Sequence, residues 1–176
     1  MSSVIRAAAD PDLDAVAAIY DQEVAHSIAT FDQEPRPRTY WESRLASVEV
    51  GDHLLVAEDQ VLGVVGYAYS SSYRPRPAYL HTRETSVYLA EAARGRGLGR
   101  ALYDKLIDRM REDDVHTAVA VIALPNPASV ALHEAVGFRH VGTLGEVGRK
   151  FGRWIDTAWF QLDLAVGATE DDDRLT

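Results

Sequence analysis

Residues 94–100 place three glycines and three arginines between an apolar run that ends at Leu89 and an amphipathic, helix-like segment. Glycine lets the backbone approach a ligand closely, and the N–H groups of such a loop and of the helix after it can point at phosphate oxygens. Arginine adds bidentate, charge-assisted contacts to the same oxygens. On a chain of net charge −9, this stretch predicts a strand–loop–helix unit that binds a phosphorylated ligand. The alternative is an ordinary glycine-rich turn with solvated arginines, since short motifs also match by chance.

The spacing of the glycines excludes two nucleotide-binding loops. A P-loop requires a Lys-Ser/Thr pair at the start of its helix, whereas Gly99 is followed by Arg-Ala. A dinucleotide fingerprint requires G-x-G-x-x-G, whereas Gly95, Gly97 and Gly99 alternate strictly. The remaining pattern, Arg94-x-x-Gly97-x-Gly99, resembles the Q/R-x-x-G-x-G/A signature of the GNAT acyl-CoA transferases, in which this loop binds the pyrophosphate of coenzyme A.

Four more segments extend the resemblance over residues 5–164. They are residues 79–89 around Glu84, residues 121–129 with Leu-Pro-Asn, residues 132–138 with Leu-His-Glu, and residues 150–156. Together they resemble the phosphinothricin and methionine sulfone/sulfoximine N-acetyltransferases. The loop signature is typical of the whole superfamily, whereas the combination of Glu84, Leu-Pro-Asn and Leu-His-Glu is typical of this one family.

Composition agrees with a small globular enzyme. In a chain of 176 residues, 47% of them apolar, we expect a single domain over residues 1–166 and a disordered acidic tail over residues 167–176. The absence of cysteine excludes disulfides, thiolate zinc sites and a cysteine nucleophile. We expect no metal, because the six histidines show no HExxH spacing or tight pairing with aspartate. No apolar run approaches a membrane span of about 20 residues, and no basic-then-apolar stretch starts the chain, so we expect a cytoplasmic protein.

Hydrophobic periodicity and turn residues predict the order β-α-α-β-β-β-α-β-α-β-β. The predicted strands are residues 4–7, 53–58, 62–70, 82–89, 117–124, 140–147 and 154–164, and the predicted helices are residues 10–25, 39–47, 98–111 and a fourth that Asn126 caps and Gly137 ends. This is an α/β order with a mixed sheet. The resemblance implies the GNAT fold, a central mixed β-sheet that is splayed at the acetyl-CoA site and flanked by helices.

The resemblance also implies which residues hold acetyl-CoA, the expected co-substrate. Three residues of the strand before the loop would contact it through their backbone: Ser86, Val87 and Tyr88. Six loop residues would hold the pyrophosphate: Arg94, Gly95, Arg96, Gly97, Leu98 and Gly99. Asn126 would hold the pantetheine arm.

Acetyl transfer to an amine requires a base and a proton for the departing thiolate. A carboxylate within an apolar strand is costly unless it is paired or solvated in a cleft, and partial burial raises its pKa. Without the resemblance, Glu84 would therefore be a paired or edge-exposed structural residue. The resemblance implies that Glu84 is the base, which acts directly or through a water.

The resemblance places His133 beside the acyl group, where it assists the base or protonates the thiolate. Without the resemblance, His133 would be a surface or core-edge residue. Many GNAT enzymes carry a tyrosine on this helix as the acid, so the acid stays open, with Tyr103 as a further candidate that otherwise packs in the core.

The acceptor site is predicted around the start of the Glu84 strand. Its candidate residues are Phe31, Tyr73, Arg74, Arg83 and Thr85, with Arg76 and Tyr79 close by. Arginines here would clamp the carboxylate and the sulfone or phosphinate oxygens of an amino acid. Strand alternation puts Arg83 on the face opposite Glu84, which restricts it to a backbone contribution. Solvated loop arginines and a packed Phe31 are the structural alternatives.

These observations predict an acetyl-CoA-dependent N-acetyltransferase that acts on the α-amino group of phosphinothricin, methionine sulfone or methionine sulfoximine by direct attack in a ternary complex. A transferase for another amine, such as a polyamine, an aminoglycoside or a protein N-terminus, is the alternative among enzymes. A non-catalytic acyl-CoA-binding module is the alternative outside them. We expect a small-molecule amine as partner, no nucleic acid and no membrane, and the resemblance implies a homodimer.

Overall fold

The computed structural model describes residues 3–165, so the predicted acidic tail lies outside the described residues. The strands are β1 (Ser3–Ala7), β2 (His53–Asp59), β3 (Gly63–Ser72), β4 (Thr82–Leu89), β5 (Thr117–Ala123), β6 (Arg139–Lys150) and β7 (Arg153–Asp163). The α-helices are α1 (Leu13–His26), α2 (Arg38–Leu45), α3 (Leu98–Glu112) and α4 (Pro127–Ala135). One 3₁₀ turn, Asp10–Asp12, leads into α1, and two more lie at Pro77–Tyr79 and Glu91–Ala93. Every predicted helix and strand is present, with boundaries that differ by three residues or fewer.

The seven strands form one mixed sheet in the order β1-β2-β3-β4-β5-β7-β6. Strands β4 and β5 are parallel, and the other neighbouring pairs are antiparallel. The β4–β5 pairing covers only Thr82 to Glu84, whereas the β3–β4 pairing continues to Leu89. Beyond Glu84, therefore, β4 keeps one neighbour and separates from the other. The predicted α/β fold with a splayed mixed sheet is confirmed.

Side-chain alternation along β4 assigns its residues to two layers. Val87 and Leu89 pack against the core of α3, which also contains Leu102 and Met110. Tyr88 packs against a second, more aromatic core that α1 and α2 build on the opposite face of the sheet. Since successive side chains of a strand point to opposite faces, Glu84 and Ser86 share the face of Tyr88, and Thr85 shares the face of Val87.

The aromatic core fixes α1 and α2 against the sheet. Trp41 of α2 is fully buried, and its ring makes edge-on contacts with Tyr20 of α1 and Tyr67 of β3, at centroid distances of 5.3 and 5.6 Å. Edge-to-face aromatic pairs add about 0.5–1.5 kcal/mol each beyond the apolar area that they bury. The α1–α2 layer is thereby held rigidly over the face of β4 that carries Glu84.

Candidate active site

A cavity of about 590 Å³ opens where β4 and β5 separate. We call it the inter-strand cavity, and it is lined by residues 85–89 of β4, residues 121–123 of β5, the glycine loop, the start of α4, and the residues that follow α1. The strand segments that line it carry backbone groups that are unpaired across the gap. Such groups can hydrogen-bond an extended, amide-containing ligand in place of a neighbouring strand. Ser86, Val87 and Tyr88 all line the cavity, as predicted for the acetyl-CoA contacts.

The glycine loop closes one end of the inter-strand cavity and leads directly into α3. Gly95 and Gly97 have φ values of 73° and 78°, a left-handed conformation that favours glycine. Gly97 is the N-cap of α3 and provides no side-chain cap, so the first N–H groups of the helix are available to an anion. Gly99 is buried against Leu132 of α4, where a Cβ atom would lie 3.0 Å from the leucine side chain. This loop therefore presents backbone N–H groups to an anion at one end of the inter-strand cavity.

Two loop arginines that look alike in the sequence have different surroundings. Arg94 lines the inter-strand cavity and forms an ion pair with Glu23 of α1. Arg96 donates a 2.7 Å hydrogen bond to the buried carboxylate of Asp59, and this bond, with the backbone N–H groups of Val61 and Leu62, lowers the pKa of Asp59 to about 2. The guanidinium of Arg96 therefore stabilises the end of β2, and Arg96 is not among the residues that line the inter-strand cavity. Arg100, the third arginine of residues 94–100, also lines the cavity.

Asn126 begins α4 at the cavity wall. Its side-chain Oδ1 accepts a 3.1 Å hydrogen bond from the backbone N–H of Ser129, so the residue is the N-cap of the helix as predicted. Because the carbonyl oxygen of the side chain faces the helix, the amide NH₂ group is the part that can donate to the pantetheine arm.

Glu84 is half-buried and lies on the α1–α2 face of β4. Burial raises the pKa of its carboxyl group, and the positive charges of Arg44 and Arg74 act in the opposite direction. In residues 3–165, no arginine, lysine or histidine forms an ion pair with it within 4.0 Å. A carboxyl group with a raised pKa and no fixed counterion can accept a proton near neutral pH. The structure thus gives Glu84 the surroundings that a general base requires.

His133 is buried beneath the other face of β4. Its Nδ1 lies 2.7 Å from the carbonyl oxygen of Ser129, and its Nε2 lies 2.7 Å from the hydroxyl of Tyr103. A carbonyl oxygen only accepts, so Nδ1 carries the proton and Nε2 accepts from Tyr103. Burial lowers the pKa of His133, which keeps the ring neutral. The structural alternative of a surface or core-edge histidine is thereby excluded, and His133 and Glu84 lie on opposite faces of β4.

Thr85 belongs to the histidine side of the strand. Its hydroxyl lies 3.3 Å from that of Tyr103 and 3.3 Å from the carbonyl oxygen of Val119. Thr85, Tyr103 and His133 therefore form one buried chain of hydrogen bonds along the inter-strand cavity. Thr85 was predicted to bind the acceptor; its side chain lies on the face of β4 opposite Glu84, beside Tyr103.

The other predicted acceptor residues separate into two groups. Arg83 is 1% exposed, its Nε donates to the carbonyl oxygen of Val50 at 2.6 Å, and the carboxylate of Asp52 lies 3.5 Å away. Its side chain is a structural anchor, which agrees with the alternation argument and excludes a guanidinium clamp. Arg74 is exposed, stacks over the ring of Tyr73 at 5.1 Å and acts on the charge of Glu84. Arg74 thus remains available to an acceptor.

Phe31 lies outside the walls of the inter-strand cavity. Its ring packs against Gly148 of β6, where any side chain would overlap it, and it is 39% exposed. The aromatic therefore joins the loop after α1 to the last hairpin, and it also leaves part of its ring open to a ligand.

Several residues at the site were not predicted. Glu23 and residues 27–29 line the inter-strand cavity, and Arg44 lies within electrostatic reach of Glu84. Buried Lys150 of β6 donates to the carbonyl oxygen of Thr30 at 2.8 Å and to that of Glu23 at 3.3 Å, which fixes both ends of the loop after α1. Within residues 3–165 there is no cluster of three or more metal-ligating side chains, and no helix is long and apolar enough to cross a membrane.

Comparison with known proteins agrees with this geometry. Residues 5–159 match the family model described as an acetyltransferase (GNAT) domain. The chain is 45% identical to a phosphinothricin N-acetyltransferase from Streptomyces coelicolor, over 91% of this chain and 95% of that protein. It is 39% identical to an L-methionine sulfoximine/L-methionine sulfone acetyltransferase from Pseudomonas paraeruginosa, over 93% of this chain and 96% of that protein.

A solved structure supports the same assignment. The crystal structure of a GNAT superfamily phosphinothricin acetyltransferase from Sinorhizobium meliloti, in complex with acetyl-CoA, superimposes with a TM-score of 0.89. The two chains are 36% identical, and the match covers 99% of this chain and 97% of the other. The chain therefore belongs to the GNAT N-acetyltransferases, within the family of the phosphinothricin and methionine sulfoximine acetyltransferases.

Proposed function

We propose that this enzyme transfers the acetyl group of acetyl-CoA to the α-amino group of phosphinothricin, methionine sulfone or methionine sulfoximine. The observation that carries the proposal is the position of Glu84, a carboxyl group with a raised pKa at the point where β4 and β5 separate. The names of the relatives support this substrate class. The positively charged side chains of Arg44 and Arg74 near Glu84 suit an acceptor that carries anionic oxygens.

The residues that line the inter-strand cavity suit acetyl-CoA as the acetyl donor. Acetyl-CoA would supply an activated thioester, with its diphosphate at the glycine loop and its amide-rich arm along β4 and Asn126. We place acetyl transfer in a ternary complex, by direct attack of the amine, because the chain contains no cysteine that could carry the acetyl group as a thioester. We also propose a cytoplasmic location, where acetyl-CoA is available.

Glu84 accepts one proton from the substrate ammonium group, and the neutral nitrogen forms an N–C bond to the acetyl carbon as the C–S bond breaks. The nitrogen loses its second proton as the amide forms, and the departing sulfur gains one. The hydroxyl of Tyr103 lies on that side of the inter-strand cavity and delivers its proton to the sulfur by turning away from Nε2 of His133, and the second nitrogen proton restores the hydroxyl. Overall, ammonium and thioester become amide and thiol, with one proton released from Glu84 to solvent.

We propose a homodimer as well. Strand β6 is an edge strand, and the β6–β7 hairpin exposes a run of large apolar side chains: Val141, Leu144, Val147, Phe151 and Trp154. Clustered apolar exposure of this kind marks an interaction surface. Light scattering at several protein concentrations tests this, and a Trp154→Glu variant should shift the protein toward monomer if the surface is the interface.

Thiol release from acetyl-CoA tests the proposed function. The acceptor panel contains phosphinothricin, methionine sulfone, methionine sulfoximine, spermidine, an aminoglycoside, an N-terminal peptide and ordinary amino acids. Turnover confined to the first three supports the proposal, whereas turnover with spermidine or the peptide moves the enzyme to another acceptor class. Binding of acetyl-CoA without any turnover would favour the acyl-CoA-binding alternative.

A further inference from the structure

A second, polar pocket of about 300 Å³ lies between α2 and the ends of β2 and β3, on the face of the sheet that carries Glu84. We call it the Arg44 pocket; Tyr40, Arg44, Asp52 and Ser71 line it. Ser71 is the register partner of Glu84 in the antiparallel β3–β4 pair. Directly opposed residues of such a pair have their side chains on one face, about 4.5–5.5 Å apart between Cβ atoms. The Arg44 pocket therefore opens beside the proposed base.

The guanidinium of Arg44 is fixed without a carboxylate partner. It stacks on the ring of Tyr69 at 4.3 Å and on that of Tyr40 at 5.0 Å, and its Nε donates to the Tyr40 hydroxyl at 2.9 Å. Within residues 3–165, no aspartate or glutamate lies within 4.0 Å of its nitrogen atoms. By contrast, Arg36 and Arg38 in the same region both pair with carboxylates. Stacking sets the plane of Arg44 and leaves its two terminal nitrogens as a fork that matches a planar anion.

The acidic group of the pocket forms no ion pair with this guanidinium. Asp52 accepts a 2.7 Å hydrogen bond from the hydroxyl of Ser47, and its other oxygen lies 3.5 Å from Nε of buried Arg83. The negative charge of Asp52 also acts on Arg44, but it lies more than 4.0 Å from the Arg44 nitrogens, so the terminal nitrogens of Arg44 stay available to an anion.

We infer that Arg44 binds the α-carboxylate of the acceptor and so directs its α-amine to Glu84. In an α-amino acid the two groups share one carbon, so a cation for the carboxylate has to lie beside the base that takes the ammonium proton. Arg44 meets that requirement on a rigid helix, and exposed Arg74 is left for the oxygens at the far end of the acceptor side chain. The inference rests on the proposed function and adds that a free α-carboxylate is the recognised group.

The test compares two acceptors that differ only in the carboxylate: methionine sulfone and 3-(methylsulfonyl)propylamine. For the native enzyme, kcat/KM should favour methionine sulfone by about 100-fold. Arg44→Gln should lower kcat/KM for methionine sulfone, mainly through KM, by about 10- to 100-fold more than it lowers the value for the amine, whose loss comes only from the changed charge beside Glu84. The preference then disappears, while KM for acetyl-CoA stays within about 2-fold. Arg44→Lys, which keeps the charge without the fork, should restore part of the preference.

Arg38→Gln is the matched control, because it removes an exposed arginine of the same helix and should leave the preference intact. A loss that Arg44→Gln imposes equally on both acceptors would overturn the inference, since it would show that Arg44 only supports the fold or the charge of Glu84. Circular dichroism and thermal unfolding identify a variant that fails to fold, and Arg44→Lys then decides the question. If the native enzyme acetylates spermidine or a peptide but not methionine sulfone, the proposed function fails, and the inference fails with it.

Discussion

The hydroxyl oxygen of Tyr103 lies 2.7 Å from Nε2 of His133, and both side chains are buried at the wall of the inter-strand cavity. Because Nδ1 of the histidine donates to the carbonyl oxygen of Ser129, the tyrosine has to donate to Nε2. The pKa of His133 is lowered by burial, and that of Tyr103 is raised by burial, so the pair is neutral at physiological pH. The tyrosine has a single O–H proton, so it can reach a departing sulfur only by turning away from Nε2 of His133, and the neutral pair places no fixed charge at that end of the cavity.

Tyr103→Phe should lower both stability and turnover. The variant leaves Nε2 of His133 buried without a donor, at a cost of about 1–3 kcal/mol in the free energy of unfolding. It should also lower kcat by about 100-fold, with little change in the Kd of acetyl-CoA. In a double-mutant cycle with His133→Leu, measured by urea unfolding, the two losses should be clearly less than additive. Additive losses would show that the two side chains act independently.

Arg94→Gln and Arg96→Gln should separate ligand binding from stability. Arg94 lines the inter-strand cavity, so its loss should raise the Kd of coenzyme A by about 10-fold. Arg96 contributes most to the low pKa of Asp59, about 2, and the backbone N–H groups of Val61 and Leu62 contribute the rest. This shift stabilises the fold above the unfolded pKa of about 3.9, and the stabilisation is lost as pH falls through 2. Arg96→Gln should therefore lower Tm at pH 7 more than at pH 3. Calorimetry measures both quantities, and equal effects of the two variants on coenzyme A binding would contradict this assignment.

Lys150→Met should weaken acetyl-CoA binding from a distance. Lys150 donates to the carbonyl oxygens of Glu23 and Thr30, which flank the loop that lines the inter-strand cavity. Without these bonds we expect KM for acetyl-CoA to rise about 10-fold and the free energy of unfolding to fall by about 1–3 kcal/mol. The chain has one other lysine, exposed Lys105 of α3, so Lys105→Met is the matched control. Identical kinetics for the two variants would remove Lys150 from the support of the site.

Glu84→Gln should stabilise the protein at neutral pH. The pKa of Glu84 is raised in the folded state, so above that pKa the ionised carboxylate costs folding free energy. The cost vanishes below the unfolded pKa of about 4.3, where the group is protonated in both states. Tm of the variant should exceed that of the native enzyme by about 2 °C at pH 7.5, and the two values should converge near pH 4. A lower Tm of the variant at pH 7.5 would show that the carboxylate supports the fold.

Local sequence signals predicted the structural features that depend on residues close together in the sequence. The bounds of β4, the start of α3 at Leu98 and the cap at Asn126 follow from apolar runs, glycine spacing and capping residues, and the structure has all three. Strand alternation also placed Arg83 opposite Glu84 correctly. The family resemblance added the splay between β4 and β5, which no local pattern encodes.

The errors come from contacts between residues that are far apart in the sequence. The surroundings of Arg94 and Arg96 differ because Arg94 pairs with Glu23, 71 residues away, and Arg96 pairs with Asp59, 37 residues away. The buried bond between His133 and Tyr103 was not predicted, because it joins two helices that are far apart in the sequence. Such pairings depend on how the helices pack on the sheet, so a single sequence does not reveal them.

Lys150 and Arg44 were missed for the same reason. The partners of Lys150 are backbone carbonyls more than 100 residues away, which carry no sequence signal. Arg44 was missed because the register of β3 with β4 brings Ser71, and with it the Arg44 pocket, beside Glu84.

The role of Glu84 as the base is tested by the turnover of methionine sulfone by Glu84→Gln, measured over a range of pH together with the Kd of acetyl-CoA. If Glu84 is the base, the variant loses at least about 100-fold in kcat with an unchanged Kd, and the acidic limb of kcat/KM, which in the native enzyme lies above the ordinary pKa of a glutamate, disappears. Full turnover by the variant at every pH would show that Glu84 is not the base.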